Sequence, residues 1–143
     1  MTRARRGYGY PRHRVALTIA SGAVIVIGLA VHTLEGAAWA FVADALYTVL
    51  VYLILRLVFV RAPLWMLAVA AFGFSTVVEV LQLSGLPEQW GEAFPPVRLL
   101  LGASFSAVDL VAYAFGALAV WLADSAVLRA FGARSVRSTH PRA

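Results

Sequence analysis

Four long apolar stretches constrain the fold of this chain more than any other feature of its sequence. They cover about residues 15–34, 39–60, 64–83 and 105–128. Each is long enough to cross a bilayer as a helix, which takes about 20 residues. Charged residues make up only 13% of the chain, whereas they make up about 25% of soluble domains. The sequence therefore predicts an integral membrane protein with four spans.

The apolar stretches predict helices rather than strands. Only α-helices and closed β-barrels satisfy every backbone hydrogen bond inside a bilayer. The strands of a barrel alternate between apolar and polar residues, whereas these four stretches are uniformly apolar. We therefore expect an all-α fold, a four-helix transmembrane bundle that occupies residues 15–128.

The remaining segments are polar or rich in residues that break helices. Residues 1–14 predict a disordered basic tail, and residues 129–143 predict a second basic tail. Residues 84–96 predict a loop, because they contain several glycines and prolines that disfavour a long helix. We expect a short interfacial segment at residues 97–101, before the last transmembrane helix.

The arginines predict how the bundle is oriented. All 12 basic residues are arginines, and most lie in the two tails. Two more, Arg56 and Arg61, lie at the connection between the second and third stretches. Cytoplasmic loops carry an excess of basic residues, so we expect both termini in the cytoplasm and the chain in the plasma membrane. This placement explains the net charge of +5, and we expect no nucleic-acid partner.

Several kinds of catalytic and metal chemistry lack the residues that they need. The chain has no cysteine, which excludes disulfides, thiolate nucleophiles and cysteine metal sites. It contains no P-loop, no glycine-rich dinucleotide loop and no zinc-protease motif. A metal site would have His32 as its only plausible imidazole ligand, and its other ligands would have to be oxygen atoms. We therefore expect no metal and no cofactor, and the sequence assigns no catalytic residue.

A polar pair inside the third stretch is the strongest indication of a site. Glu79 and Gln82 are three residues apart, so they share one face of a helix. An isolated charged side chain in the bilayer costs about 2.5–3.5 kcal/mol on insertion scales. Asp44 and Asp109, from two other helices, lie at the same depth, within about 6–9 Å of the outer boundary. The sequence thus predicts a shared polar pocket near the outer leaflet.

The predicted ligand-binding site extends to the polar neighbours of these carboxyl groups. Tyr47 and Tyr113 follow Asp44 and Asp109 by three or four residues, and Arg98 falls near the same level. The predicted site therefore consists of Asp44, Tyr47, Glu79, Gln82, Arg98, Asp109 and Tyr113. Small residues predict close approach between the helices: Gly73, Gly102, Ala112 and Gly116.

Each of these polar residues also has a simpler structural interpretation. Intramembrane Asp and Glu residues can serve as hydrogen-bond partners between helices. Tyr47 and Tyr113 can be packing residues with a polar tip, and His32 an interfacial residue. Arg98 is either a side chain that extends to the membrane interface or the counter-ion of the carboxyl groups.

Three ordered segments of this sequence resemble a known family. They are residues 44–47 (Asp-Ala-Leu-Tyr), residues 79–83 (Glu-Val-Leu-Gln-Leu) and residues 101–113 with Gly116. Together they resemble the DUF2809 family of small bacterial integral membrane proteins, over about residues 38–120. This family has no assigned function.

The chain is also similar, more loosely, to the VanZ-like family. The shared features are an E-x-x-Q motif and a later D-x-x-x-Y-x-x-G motif. VanZ-like proteins are associated with glycopeptide resistance and cell-envelope phenotypes. Their arginine falls nearer to Glu92 or Ala93 than to Arg98, so the resemblance assigns no role to Arg98.

These observations lead to three hypotheses about function. The leading one is a non-enzymatic, envelope-associated protein whose acidic site binds the polar headgroup of a membrane lipid or of a lipid-linked envelope precursor. The second is a small intramembrane enzyme that uses Glu79 and Asp109 for general acid–base catalysis on a lipid-linked substrate. The third is a structural membrane subunit in which the carboxyl groups hold the helices together.

Overall fold

The computed structural model describes residues 10–94, 96 and 105–137, and within them it contains helices and no strand. The helices are α1 (Tyr10–His32), α2 (Ala37–Val58), α3 (Leu64–Gln82), α4 (Leu86–Ala93) and α5 (Ala107–Arg137). Four of them, α1, α2, α3 and α5, are long and apolar enough to cross a membrane. The predicted all-α fold with four transmembrane helices is confirmed.

The turns between helices depend on residues with special backbone geometry. Gly36 precedes α2 with a φ of 117°, and Gly85 precedes α4 with a φ of 71°. Both values lie in the region that favours glycine, because a Cβ atom would clash with the backbone there. Pro63 precedes α3 in an extended conformation, and its carbonyl accepts hydrogen bonds from the amides of Met66 and Leu67. These residues therefore set where α2, α3 and α4 begin.

The segment after α3 differs from its prediction. Residues 84–96 were expected to form a loop, but Leu86–Ala93 forms the short helix α4. Pro87 is compatible with this helix because it lies in the first turn, where the backbone amide has no intrahelical partner. The interfacial segment expected at residues 97–101 lies outside the described residues.

Both ends of the bundle extend beyond the predicted spans. Helix α1 begins at Tyr10, within the tail that was expected to be disordered. Helix α5 continues to Arg137, past the predicted boundary at residue 128. The windows that qualify as membrane spans in these two helices are shorter, at Arg14–His32 and Ala107–Ala130.

Helices α2, α3 and α5 form a three-helix core, and α1 lies at its periphery. Helix α2 contacts α1, α3 and α5, and α3 also contacts α5. Among the described residues, α1 contacts α2 but neither α3 nor α5. Near the start of α1, the Arg14 guanidinium donates a hydrogen bond of 3.3 Å to the Leu57 carbonyl. That carbonyl lies in the last turn of α2, where backbone oxygens lack partners within their own helix.

The outer surface of the bundle is apolar, as contact with lipid requires. Ile19, Val69 and Phe115 are 60–66% exposed. A monomeric soluble protein rarely exposes a contiguous apolar surface of this kind. The polar side chains of Thr48, Ser75 and Glu79 are instead buried between helices. Relative to a soluble fold, the polarity of the interior and of the surface is therefore partly inverted.

One glycine brings the backbones of α2 and α5 together. A Cβ atom at Gly116 would lie 3.0 Å from the Ala45 Cα atom and closer still to the Ala45 carbonyl oxygen. Ala112, one turn earlier on α5, is fully buried. At Gly73, in contrast, a Cβ atom would meet no atom within 4 Å, so the close approach predicted there is wrong. Gly102 lies outside the described residues.

This difference between glycines predicts the outcome of two identical substitutions. Gly116→Ala should lower the free energy of unfolding by about 1–3 kcal/mol, the usual effect of overpacking, because its methyl group meets backbone that cannot rotate away. Gly73→Ala is the matched control and should cause no loss, since its methyl group enters open space. The melting temperatures of the purified variants in detergent test this expectation, and equal values would contradict it.

Candidate functional site

The acidic residues singled out in the sequence lie in the same half of the bundle. Glu79 is in the last turn of α3, Asp109 is in the first turn of α5 and Asp44 is about two turns into α2. We call this half, defined by Asp44, Glu79 and Asp109, the Glu79 end. The opposite half, defined by Arg56 and Asp124, is called the Asp124 end.

Glu79 connects α3 to the beginning of α5. Its side chain is fully buried. One carboxylate oxygen, Oε1, accepts a hydrogen bond of 2.5 Å from the backbone amide of Ser106. The other, Oε2, accepts a hydrogen bond of 2.8 Å from the Tyr113 hydroxyl. Ser106 directly precedes α5, where free backbone amides and the helix dipole favour a negative charge. The protein itself therefore provides donors to both oxygens of this carboxylate.

A second buried contact joins α2 and α3 one turn deeper. The Thr48 and Ser75 hydroxyls are 3.0 Å apart, and either of them can be the donor. Both residues are fully buried. Ser75 precedes Glu79 by four residues, so the two side chains lie on the same face of α3. The interface between α2, α3 and α5 is thus polar over at least two helical turns.

Asp44 and Asp109 form a more exposed pair beside Glu79. Both are partly exposed, and their carboxyl groups lie close enough to interact electrostatically. Two ionised carboxylates in contact repel each other, so such a pair is stabilised by a shared proton or by an outside donor or cation. Across residues 10–94, 96 and 105–137, no arginine forms an ion pair with either of them.

The other predicted site residues divide into three groups. Tyr47 joins the cluster, because its ring packs on the Tyr113 ring with centroids 6.3 Å apart. Gln82 is partly buried and follows Glu79 on the same face of α3. His32 is exposed and belongs to α1, which does not contact α3 or α5 within the described chain. Arg98 lies outside the described residues.

The structure contains a polar network that the sequence analysis missed. At the Asp124 end, the Tyr52 hydroxyl donates a hydrogen bond of 2.7 Å to Asp124 Oδ2. Arg56 Nε lies 3.2 Å from the same oxygen, and Arg56 Nη1 donates a hydrogen bond to the Val60 carbonyl. Tyr52 is fully buried and Arg56 is 8% exposed. One sequence signal could have revealed this network. Polar residues recur every four positions on one face of a transmembrane helix, at Asp44, Thr48, Tyr52 and Arg56.

Neither the groove between α3 and α5 nor metal chemistry adds a competing site within the described residues. A groove of about 310 Å³ between α3 and α5 has apolar lining residues: Trp65, Ala68, Val69, Phe72, Ala114, Ala117, Leu118 and Trp121. It offers no chemical group beyond contact surface for lipid tails. Within the part of the chain that the structure describes, no three His, Asp or Glu residues are grouped so that they can hold a metal ion.

Comparison with known proteins identifies the family. A family model described as "Protein of unknown function (DUF2809)" matches residues 33–117. The chain belongs to the DUF2809 family. No curated protein and no solved structure matches it. The DUF2809 match covers α2, α3, α4 and the first part of α5, so it includes Asp44, Glu79, Asp109 and Tyr113. It ends before Asp124, and it leaves out the whole of α1.

The buried position of Glu79 predicts how its removal affects the DUF2809 fold. Glu79→Leu leaves the Ser106 amide and the Tyr113 hydroxyl buried without an acceptor, at a cost of about 1–3 kcal/mol for each group. Tyr113→Phe removes one of the two donors and should cost less than Glu79→Leu in total, about 1.5–3 kcal/mol for a hydrogen bond to a charged group. The melting temperature in detergent measures both losses. Glu35→Leu, at an exposed position between α1 and α2, is the control and should have little effect; a Glu79→Leu variant as stable as wild type would contradict this role.

Proposed function

We propose that this protein is a non-enzymatic, envelope-associated membrane protein that binds the polar headgroup of a membrane lipid or of a lipid-linked envelope precursor. The carboxyl groups of Asp44 and Asp109 carry the proposal. They are partly exposed and adjacent, and in the described chain they have no basic partner. Such a pair gains stability from a ligand that brings hydrogen-bond donors or a positive charge.

Depth in the bilayer supports a headgroup as the ligand. Asp109 lies in the first turn of α5, and Glu79 in the last turn of α3. The ends of transmembrane helices lie near the level of lipid headgroups. A primary ammonium group fits best, because it supplies three N–H donors together with a positive charge. The looser similarity to VanZ-like proteins, through E-x-x-Q and D-x-x-x-Y, supports an envelope role.

Within this proposal, Glu79 holds the site in place rather than contacting the ligand. Donors from α5 occupy both of its oxygens, and it is fully buried. Tyr113 connects it to Tyr47 through ring packing. The ligand therefore meets Asp44, Asp109 and the edge of the tyrosine pair. Gln82, on the same face of α3 as Glu79, is a further residue of the proposed site, whereas Arg98, which the sequence analysis also assigned to it, lies outside the described residues.

A structural subunit is the second candidate, and one observation favours it. Each oxygen of Glu79 accepts a hydrogen bond, from the Ser106 amide just before α5 or from the Tyr113 hydroxyl in α5, which is what interhelical hydrogen bonding alone requires. In that case Asp44 and Asp109 share a proton and need no ligand. The third candidate is the intramembrane enzyme, for which the sequence suggested Glu79 and Asp109. Because both oxygens of Glu79 already accept hydrogen bonds from the protein, Asp44 would act beside Asp109 in proton transfer to and from a lipid-linked substrate.

Binding of lipid to the purified protein separates these candidates. In detergent, phosphatidylethanolamine should raise the melting temperature more than phosphatidylcholine, because choline is cationic but has no N–H donor. Asp109→Asn and Asp44→Asn should remove this difference. Glu92→Gln, which changes an exposed carboxylate in α4 at the same end of the bundle, should retain it.

The other outcomes identify the alternatives. If Asp109→Asn lowers the melting temperature equally with and without lipid, the acidic pair is structural. If mass spectrometry finds the added lipid chemically altered by wild type but not by Asp109→Asn, the protein is an enzyme. If phosphatidylcholine stabilises wild type as well as phosphatidylethanolamine does, recognition through N–H donors is refuted.

We further propose a plasma-membrane location with both termini in the cytoplasm. The excess of arginine in the two tails and at Arg61 supports this orientation. Arg56 contributes less than the sequence implied, because it is paired with Asp124 inside the bundle. A reporter that fluoresces only in the cytoplasm should be active at the C-terminus. The matched fusion is a reporter inserted between α1 and α2, which should be inactive; the reverse pattern would contradict the orientation.

A further inference from the structure

A continuous polar face runs along α2 through the core of the bundle. Asp44, Thr48, Tyr52 and Arg56 recur every four residues, so their side chains lie above one another on one face. From Asp44 to Arg56 this face extends about 18 Å at 1.5 Å per residue. That length is more than half of the roughly 30 Å hydrocarbon core of a bilayer. We call these four residues and their partners the polar ladder.

Every step of the polar ladder has a polar partner on another helix. Asp44 pairs with Asp109 of α5, and Thr48 pairs with Ser75 of α3 at 3.0 Å. The Tyr52 hydroxyl is 2.7 Å from Asp124 Oδ2, to which Arg56 Nε also donates at 3.2 Å. Along α2, the partners thus lie first on α5, then on α3 and then on α5 again. The ladder therefore lies where the three core helices meet.

Burial changes systematically along the ladder. The groups in the middle, Thr48, Ser75 and Tyr52, are fully buried. The carboxyl groups at its two ends, Asp44 with Asp109 and Asp124, are partly exposed. The ladder is therefore closed to lipid in the middle and accessible at each end. Hydrogen bonding between helices requires neither an ionisable group at each end nor a single shared face.

We propose that the polar ladder conducts protons across the membrane. Chains of ionisable residues inside membrane proteins commonly serve as proton relays. Hydroxyl groups suit the buried steps, because each both donates and accepts a hydrogen bond. No open pore is needed, since protons move along hydrogen bonds while the heavy atoms stay in place.

The transfer is balanced at every step and needs no co-reactant. A proton binds the Asp44–Asp109 pair from one side of the membrane. The Thr48 and Ser75 hydroxyls pass it on, each accepting a proton on oxygen and releasing its own. The Tyr52 hydroxyl then donates its proton to Asp124 and receives a new proton from the Thr48 and Ser75 hydroxyls. Steps between successive turns cover about 6 Å, which the proposal spans with one bridging water molecule, and Asp124 releases the proton on the opposite side. The membrane potential and pH gradient supply the driving force.

Proton uptake by liposomes tests the proposal directly. The full-length protein is reconstituted in vesicles that contain potassium and the pH-sensitive dye pyranine. Valinomycin then creates an inward driving force for protons. Wild-type vesicles should acidify faster than vesicles without protein. The Thr48→Val/Ser75→Ala double variant should lose this protein-dependent acidification.

The double variant interrupts the ladder with little risk to the fold. Removing both partners of a buried hydrogen bond leaves no orphaned group and is often nearly neutral in stability. The control is Thr76→Val, which removes a neighbouring hydroxyl on α3 whose buried oxygen has no hydrogen-bond partner among the residues that the structure describes. This variant should conduct as wild type does, which would exclude non-specific leakage around the protein.

A second variant keeps the test decisive if the double variant does not fold. Tyr52→Phe removes the hydroxyl that leads to Asp124 but retains the Arg56–Asp124 ion pair, and it should also lose conduction. The proposal is overturned if wild-type vesicles acidify no faster than empty ones, or if folded Tyr52→Phe or double-variant protein conducts as wild type does. Since neither variant alters Asp44 or Asp109, stabilisation by phosphatidylethanolamine should persist in both, which separates this result from the headgroup proposal.

Discussion

The hydrogen bonds between the buried Glu79 carboxylate and the start of α5 determine how the rest of the core is arranged. Helices in a bilayer gain little hydrophobic energy by associating, because lipid tails are as apolar as their own side chains. Specific polar contacts and close packing must therefore select the partners. Glu79 provides such a contact through the Ser106 amide and the Tyr113 hydroxyl. Once α5 is held there, Asp109 faces Asp44, and Gly116 meets the backbone of Ala45.

The Asp124 end uses different chemistry for the same purpose. There α2 provides a guanidinium and a phenol, and α5 provides the carboxylate. Breaking a buried ion pair by removing one partner leaves an uncompensated charge, which is strongly destabilising. Helices α2 and α5 are thus fixed near both ends by polar contacts and between them by Gly116. Within the described residues, helix α1 shows no buried polar contact of this kind, and it packs on α2 but not on α3 or α5.

The sequence was sufficient to predict the helices and the depth of the acidic groups, but not the pairing of side chains. Apolar length and helical rise fix position along the membrane normal, which is why Asp44, Glu79 and Asp109 were expected at one level. Pairing depends on the rotation of each helix about its own axis, and composition does not reveal that rotation. Gly73 and Gly116 show this clearly, since both are small residues in apolar helices and only Gly116 contacts a neighbouring backbone. Arg56 was interpreted as an interfacial charge because its partner, Asp124, is 68 residues away along the chain.

The three carboxyl groups at the Glu79 end therefore differ in what they can do, although the sequence presents them as equivalent. A carboxylate whose oxygens both accept hydrogen bonds from the protein has little capacity left for a ligand, and Glu79 is in this state. Asp44 and Asp109 retain that capacity, because they face each other and are partly exposed. Under the two proposals made above, exchange with a headgroup or with protons therefore involves the aspartate pair, while Glu79 holds α5 in place through Ser106 and Tyr113. Substitution of Glu79 should consequently affect ligand binding and proton conduction together, whereas interruption of the ladder at Thr48 and Ser75 should affect conduction alone.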